Sequence, residues 1–114
     1  MTEYWDAYDE NRHLLSGKII NRDTFSSTDD FHLVVQVLLL HRKDQSVLFM
    51  HRARNKATFP DYFEATAGGA ALCRETSQEA DRRELKEETN LEVDQLLLLY
   101  KQQIRKITCI SIKI

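Results

Sequence analysis

At 114 residues, with 42% hydrophobic and 30% charged side chains, 3 Gly and 1 Pro, the chain has the composition of one soluble globular domain, which excludes a fibrous or disordered chain. Lys and Arg number 16 against 18 Asp and Glu, so the net charge of -2 creates no field that would draw in nucleic acid, and any phosphate binding must be local. The longest apolar run, Val37 to Leu40, is far too short for a membrane span, and the acidic, aromatic opening from Met1 to Asp6 lacks the pattern of an export signal. Cys73 and Cys109 lie far apart without metal-ligand or CxxC spacing and read as reduced thiols, which places the chain in the cytoplasm.

In chain order, Glu3 to Tyr8, a turn at Asp9 to Asn11 and Leu14 to Asn21 read as strand, turn and strand. Asp23 to Asp30 is rich in Ser, Thr and Asp and reads as a loop into His32 to His41, whose Val, Leu and Gln content predicts a largely buried, central strand. Arg42 to Gln45 is a polar turn, and Ser46 to His51 is predicted as its hairpin partner. A basic stretch from Arg52 leads to a turn at Pro60. Tyr62 to Ala67 is short and ends at Gly68-Gly69, where backbone conformations closed to other residues are open.

Thr76 followed three residues later by Glu79 is a capping box, and it starts a helix at Ser77. Good helix formers continue to Thr89, and Asn90 fits the left-handed position just past the end. Leu96 to Tyr100 and Ile107 to Ile114 are predicted as closing strands, the last alternating Cys109, Ser111 and Lys113 with Ile110, Ile112 and Ile114.

On a helical wheel Glu88 lies about 40° to one side of Glu84 and Glu87 about 60° to the other, so three carboxylates share a face. Ala80 and Leu91 lie on the same side, and Leu85 is the other large apolar residue, too few for a broad structural stripe. Such a helix can be a solvated one laced by Glu79 with Arg83 and Arg83 with Glu87. The upstream Gly68-Gly69 and Glu75 tilt the reading toward a divalent cation, because loop carbonyls and carboxylates are the hard oxygen donors that Mg²⁺ or Mn²⁺ prefers.

Gly69, five residues, Glu75, seven residues, then Arg83-Glu84-Leu85-Lys86-Glu87-Glu88-Thr89-Asn90-Leu91 resembles the Nudix hydrolase signature of MutT-like proteins through its whole length. Chance coincidence of six fixed residues is on the order of 10⁻⁸ per start position. Asn90 departs from the family's usual Gly but can meet the same left-handed demand. Arg74 stands where the family usually has Gly.

The resemblance implies an α+β fold, an α/β/α sandwich with a mixed sheet and the loop-helix, as one domain over 1–114. It also implies hydrolysis of a pyrophosphate bond in a nucleoside diphosphate linked to another moiety, a small-molecule partner, with Mg²⁺ or Mn²⁺. The implied metal ligands are Glu84, Glu87, Glu88 and the Gly69 carbonyl. Arg83 would orient a neighbouring glutamate, Glu75 would hold the loop or act through water, and Glu84 is the choice of general base. Arg52 and Lys56, followed by Phe59-Pro60-Asp61-Tyr62-Phe63, resemble a segment shared by isopentenyl-diphosphate isomerases and hydrolases close to them, which implies substrate contacts from both basic residues.

An isomerase is the alternative enzyme, but it needs a Cys and a His where this chain has Gly68 and Ala70. His32 sits where those isomerases carry a metal-binding histidine, although a lone His at a strand start is more often a satisfied structural residue. A nucleotide-binding module without turnover is the reading from another class. Nudix domains usually continue into a second long helix, so the ending at Ile114 predicts a chain truncated at the C-terminus and lacking that helix. A sheet face left bare in this way must find a partner or lie exposed, and a homodimer would give it one.

Overall fold

The computed structural model describes residues 2–25, 30–57, 59–104 and 107–113, with side-chain surroundings described through residue 99. Strand β1 (Tyr4–Tyr8) buries Trp5 and Ala7 on alternate positions and pairs antiparallel with β2 (Leu14–Asn21), placing Trp5 opposite Ile20. The turn between them is closed by Asp9, whose Oδ1 accepts from the amides of Asn11 and His13 at 2.8 and 2.9 Å. At the start of the expected loop, Asn21 caps a single 3₁₀ turn over Arg22–Thr24.

The His32–Leu40 strand, β3, is central as predicted, because both of its edges are paired. On one edge it runs parallel to β9 (Ile107–Lys113), which in turn pairs antiparallel with β8 (Leu97–Ile104). The other edge is shared. Val34 to Val37 pair with β7 (Ala67–Ala70), and Leu39 and Leu40 pair with β4 (Val47–Leu48), both antiparallel.

This sharing breaks the strand expected over Ser46 to His51. A continuous partner running back along β3 past Leu48 would collide with β7, so the chain leaves the sheet at Phe49, and β5 (Met50–His51) pairs instead with β6 (Phe63–Glu64). Thr66 seals the junction. Its buried hydroxyl accepts from the Leu39 amide at 2.9 Å and donates to the Leu48 carbonyl, serving two backbone groups at the change of partner.

Gly68 and Gly69 also differ from the sequence reading. They lie inside β7 and need no unusual backbone: the one glycine with positive φ among the described residues is Gly17. Their constraint is space, since a Cβ on Gly68 would lie 2.8 Å from the Val35 carbonyl oxygen.

The helix α1 (Ser77–Thr89) starts and stops where its caps predict. The Thr76 hydroxyl accepts from the Glu79 amide at 3.1 Å, the Glu79 carboxylate accepts from the Thr76 amide at 3.0 Å, and Asn90 adopts φ 62, ψ 18. Ala80 packs with Leu33, Val35 and Ala71, and Leu85 with Val37 and Ala67, so two narrow contacts seat the helix on β3 and β7. Leu91 is exposed and does not join them. The Arg82 guanidinium donates to the carbonyls of Val93 and Asp94, tying down the segment after the helix.

Strand β8 begins at Leu97 and runs four residues past the predicted end at Tyr100, because β9 offers it a full-length partner. The side-chain alternation predicted for β9 falls outside the described surroundings. Together these elements form an α+β fold with a mixed sheet and one α-helix among the described residues.

Thr66→Val keeps the volume but orphans the Leu39 amide and the Leu48 carbonyl, and each unpaired buried group costs roughly 1 to 3 kcal/mol. Urea denaturation should show Thr66→Val losing at least that much, with Thr66→Ser close to wild type. Equal stability of Thr66→Val and wild type would contradict this role.

Candidate active site

Arg83 organises the site from the first half of α1. Its guanidinium forks onto Glu75 at 2.7 and 2.9 Å, donates to the Ala70 carbonyl at 3.1 Å, and reaches Glu84 at 2.8 Å and Glu87 at 3.3 Å. A planar fork with five donors is the side chain able to serve that many acceptors at once. Glu75 also accepts from the Leu72 amide at 2.8 Å, so the loop between β7 and α1 is fixed at both ends of one ion pair. Burial works against charge on Glu75, but the hydrogen bonds from Arg83 and Leu72 outweigh it and hold its carboxyl below the usual carboxylate range. The hydrogen bonds to Glu75 and then Glu84 push the Arg83 guanidinium further up, against the effect of its burial.

Arg74, in the family's glycine position, takes φ 66, a left-handed conformation that an arginine adopts at a cost. Its amide donates to Asp6 Oδ2 at 2.8 Å, and the Cys73 amide donates to the Tyr4 carbonyl at 3.0 Å. The β1 strand therefore holds the loop in the required shape.

Glu84 presses against β7 so closely that a Cβ on Gly69 would lie 2.5 Å from its Oε1. Burial pushes the Glu84 carboxyl up, and Glu87 and Glu3 add to that, against the opposing pull of Arg83. Glu88 is also raised, first by burial and then by Glu84, Glu64 and Glu87, while the Gly68 amide stabilises its charge. Negative charge on this face is thus in excess of what Arg83 neutralises.

Two crevices flank the Gly68-Gly69 backbone. One, of about 180 Å³, is bordered by Arg52, Glu64, Gly68, Gly69 and Glu88. The other, of about 500 Å³, is bordered by Glu3, Arg22, His32, Glu84 and Glu87.

The residues singled out from the sequence divide accordingly. Gly69, Glu75, Arg83, Glu84, Glu87 and Glu88 lie around one loop-helix junction, and Arg52 faces Glu88 across the smaller crevice, where it meets Glu64 at 3.2 Å. Lys56 does not join them: it is exposed on the turn that its amide closes onto the Ala53 carbonyl. Glu64 and Glu3 were missed, because their approach depends on strand pairings and no spacing relative to the helix announces them.

His32 is structural in position but not satisfied in the ordinary sense. It is buried, stacked on Trp5 at 4.1 Å with Phe25 edge-on at 4.9 Å, and its Nδ1 has no hydrogen-bond partner among the described residues. Burial lowers its pKa to about 4, so it is neutral at pH 7.

The donor set of three carboxylates and one strand carbonyl suits a hard divalent cation, and the raised Glu84 and Glu88 carboxyls carry the repulsion such an ion would relieve. The set is not closed into a ligand shell. Among the described residues, no three His, Cys, Asp or Glu side chains are gathered tightly enough to hold an ion as they stand, and Glu84 and Glu87 point their oxygens at Arg83.

The NUDIX domain family model matches residues 30–108. The chain belongs to this family. It is 38% identical over 92 residues to a Nudix hydrolase of Listeria monocytogenes and 37% identical over 92 residues to one of Listeria innocua, in each case covering 81% of this chain and 53% of the relative. The chain therefore spans about half the length of these curated relatives. A crystal structure of a protein from Deinococcus radiodurans superposes with a TM-score of 0.77 at 24% identity, covering 97% of this chain and 70% of the other, a likeness of fold. The relatives bear the hydrolase name and lend the isomerase subgroup no support. No helix among the described residues is long and apolar enough to cross a membrane.

Gly69→Ala tests the close approach. The backbone of β7 accepts alanine, but the methyl must displace the Glu84 carboxylate, and a misplacement of about 1 Å at a reacting centre costs about 10²-fold in rate. Turnover should fall by that order while the melting temperature changes little. Full activity in Gly69→Ala would show that Glu84 need not sit where it does.

Proposed function

We propose that the protein hydrolyses the pyrophosphate bond of a nucleoside diphosphate linked to another moiety, using Mg²⁺ or Mn²⁺ held by Glu84, Glu87, Glu88 and the Gly69 carbonyl. The observation that carries this reading is the grouping of Glu84, Glu87 and Glu88 on one face of α1, with the Glu84 and Glu88 carboxyls raised by burial and then by neighbouring carboxylates, and with Glu88 bordering a crevice that Arg52 also borders. When bound, the ions neutralise phosphate oxygens and acidify the attacking water.

The chain's own groups supply the rest. Arg52 offers a planar cation to the diphosphate oxygens and would exchange Glu64 for them. Glu84, made more basic by burial, accepts the proton of the attacking water, and the bond from Arg83 fixes the direction from which it does so. Glu75 keeps Arg83 in place. Lys56, expected with Arg52 to touch the substrate phosphates, lies on a turn outside the crevice, and we propose that it reaches only a substrate that extends beyond it. The net charge of -2 and the small, local crevices favour a small molecule over nucleic acid, and the cytoplasm is the compartment that suits such a substrate.

The isomerase alternative meets a physical obstacle. Its cysteine would have to stand at Gly68, where even a methyl carbon would lie 2.8 Å from the Val35 carbonyl oxygen.

Release of nucleoside monophosphate together with the phosphorylated second moiety, from a panel of nucleoside diphosphate compounds with Mg²⁺, tests the proposal. Changing Glu87 and Glu88 together to Gln should lower turnover about 10²-fold or more, as loss of transition-state electrostatics does. Unchanged turnover would sink the metal assignment, and saturable binding without turnover in the wild type would make the chain a binding module.

A further inference from the structure

The turn between β5 and β6, together with the first residue of β6, brings three large aromatic side chains to the surface. Phe59 is 63%, Tyr62 60% and Phe63 71% exposed. This exposure is held in place by the backbone. Phe59 and Asp61 both adopt left-handed conformations, φ 45 and 65, which non-glycine residues take only where the surroundings enforce them.

The surroundings do enforce them. The Arg52 amide donates to the Tyr62 carbonyl at 2.8 Å, His51 Nε2 meets Asp61 Oδ1 at 2.7 Å, and the His51 ring stacks on Phe63 at 4.7 Å. Phe59 and Tyr62 lean together with centroids 5.5 Å apart. Arg52, Phe59, Tyr62, Phe63 and Glu64 enclose an open cleft of about 360 Å³.

Arg52 and Glu64 also border the crevice of Glu88 and Gly68. The two spaces therefore share a wall, and a ligand with its diphosphate on the Glu88 side has the aromatic cleft as its next stop. Exposed aromatic faces beside a guanidinium are the chemistry that stacks a flat, electron-poor or polar ring. The cleft is large enough for one such ring and has a carboxylate, Glu64, within it to accept from a ring amine.

We infer that the cleft of Arg52, Phe59, Tyr62 and Phe63 receives the nucleobase of a nucleotide whose diphosphate lies in the adjoining Glu88 crevice. This rests on the diphosphate reading above, and Tyr62 and Phe63 become specificity residues that touch the ring and leave the reacting bond alone.

Calorimetric titration in Mg²⁺ with the α,β-methylene diphosphates of adenosine, cytidine, guanosine and uridine, against ringless methylenediphosphonate, tests it on the whole chain. At least one nucleotide should bind about tenfold or more tightly than methylenediphosphonate, the advantage expected of one stacked base. Tyr62→Ala and Phe63→Ala should each erase most of that advantage while leaving methylenediphosphonate binding and the melting temperature unchanged, as suits exposed side chains. Absence of a base advantage in the wild type, its survival in both variants, or an equal loss for the ringless probe would overturn the inference. So would sedimentation showing a dimer that both variants split, with no base advantage, since a second copy would then cover the aromatics. The probes are not hydrolysed, so base-selective binding by a chain without turnover would uphold this inference while refuting the hydrolase reading.

Discussion

One guanidinium holds the site together. Arg83 is fixed at Nε and one terminal nitrogen by Glu75, spends a further bond on the Ala70 carbonyl, and presents its remaining nitrogen to Glu84 and Glu87. Its four partners come from the end of β7, from the loop and from the helix, which links these three elements. Breaking such a partly buried pair leaves a charge uncompensated, so removing either partner costs far more than the pair's net contribution to stability. The loop is further anchored through its amides, from Ala71 to the Leu33 carbonyl, from Cys73 to the Tyr4 carbonyl and from Arg74 to the Asp6 carboxylate.

The acidic face then follows from geometry. Arg83 neutralises part of the charge, but the glutamates outnumber it, and Glu84 is wedged against Gly69 while Glu88 is half covered near Glu64. A fold selected for stability alone would not crowd carboxylates against one another at a helix surface. The narrow seating of α1 through Ala80 and Leu85 is the companion fact: the helix commits few apolar residues to the core, because the rest of its inner edge carries the acidic groups.

What could be read from the sequence was local. The capping box, the left-handed Asn90 and the grouping of Glu84, Glu87 and Glu88 depend on residues within a turn or two of each other, and helical periodicity places them. Strand β3 announced itself by composition. The interruption at Phe49 did not, since it arises from β4 and β7 competing for one edge of β3, and neither strand contains that information alone. For the same reason Glu64 and Glu3 arrive at the site unannounced, carried by long-range pairing. Gly68 and Gly69 were recognised as special for the wrong physical cause: their backbone is ordinary and the atoms facing it are close. Lys56 looked equivalent to Arg52 by charge, yet strand pairing turns Arg52 toward the crevice and leaves Lys56 on the turn.

We propose that the helix carboxylates and the Gly69 carbonyl form a cation site once Arg83 has placed them. Anomalous diffraction from crystals grown with Mn²⁺ measures this most directly, because the ion's position is seen without reference to turnover. A peak is expected within bonding distance of the Gly69 carbonyl oxygen and at least two of Glu84, Glu87 and Glu88, at about the 2 to 2.5 Å typical of hard oxygen ligands. Crystals with saturating Mn²⁺ and no peak at that junction, or with the ion bound elsewhere, would contradict it.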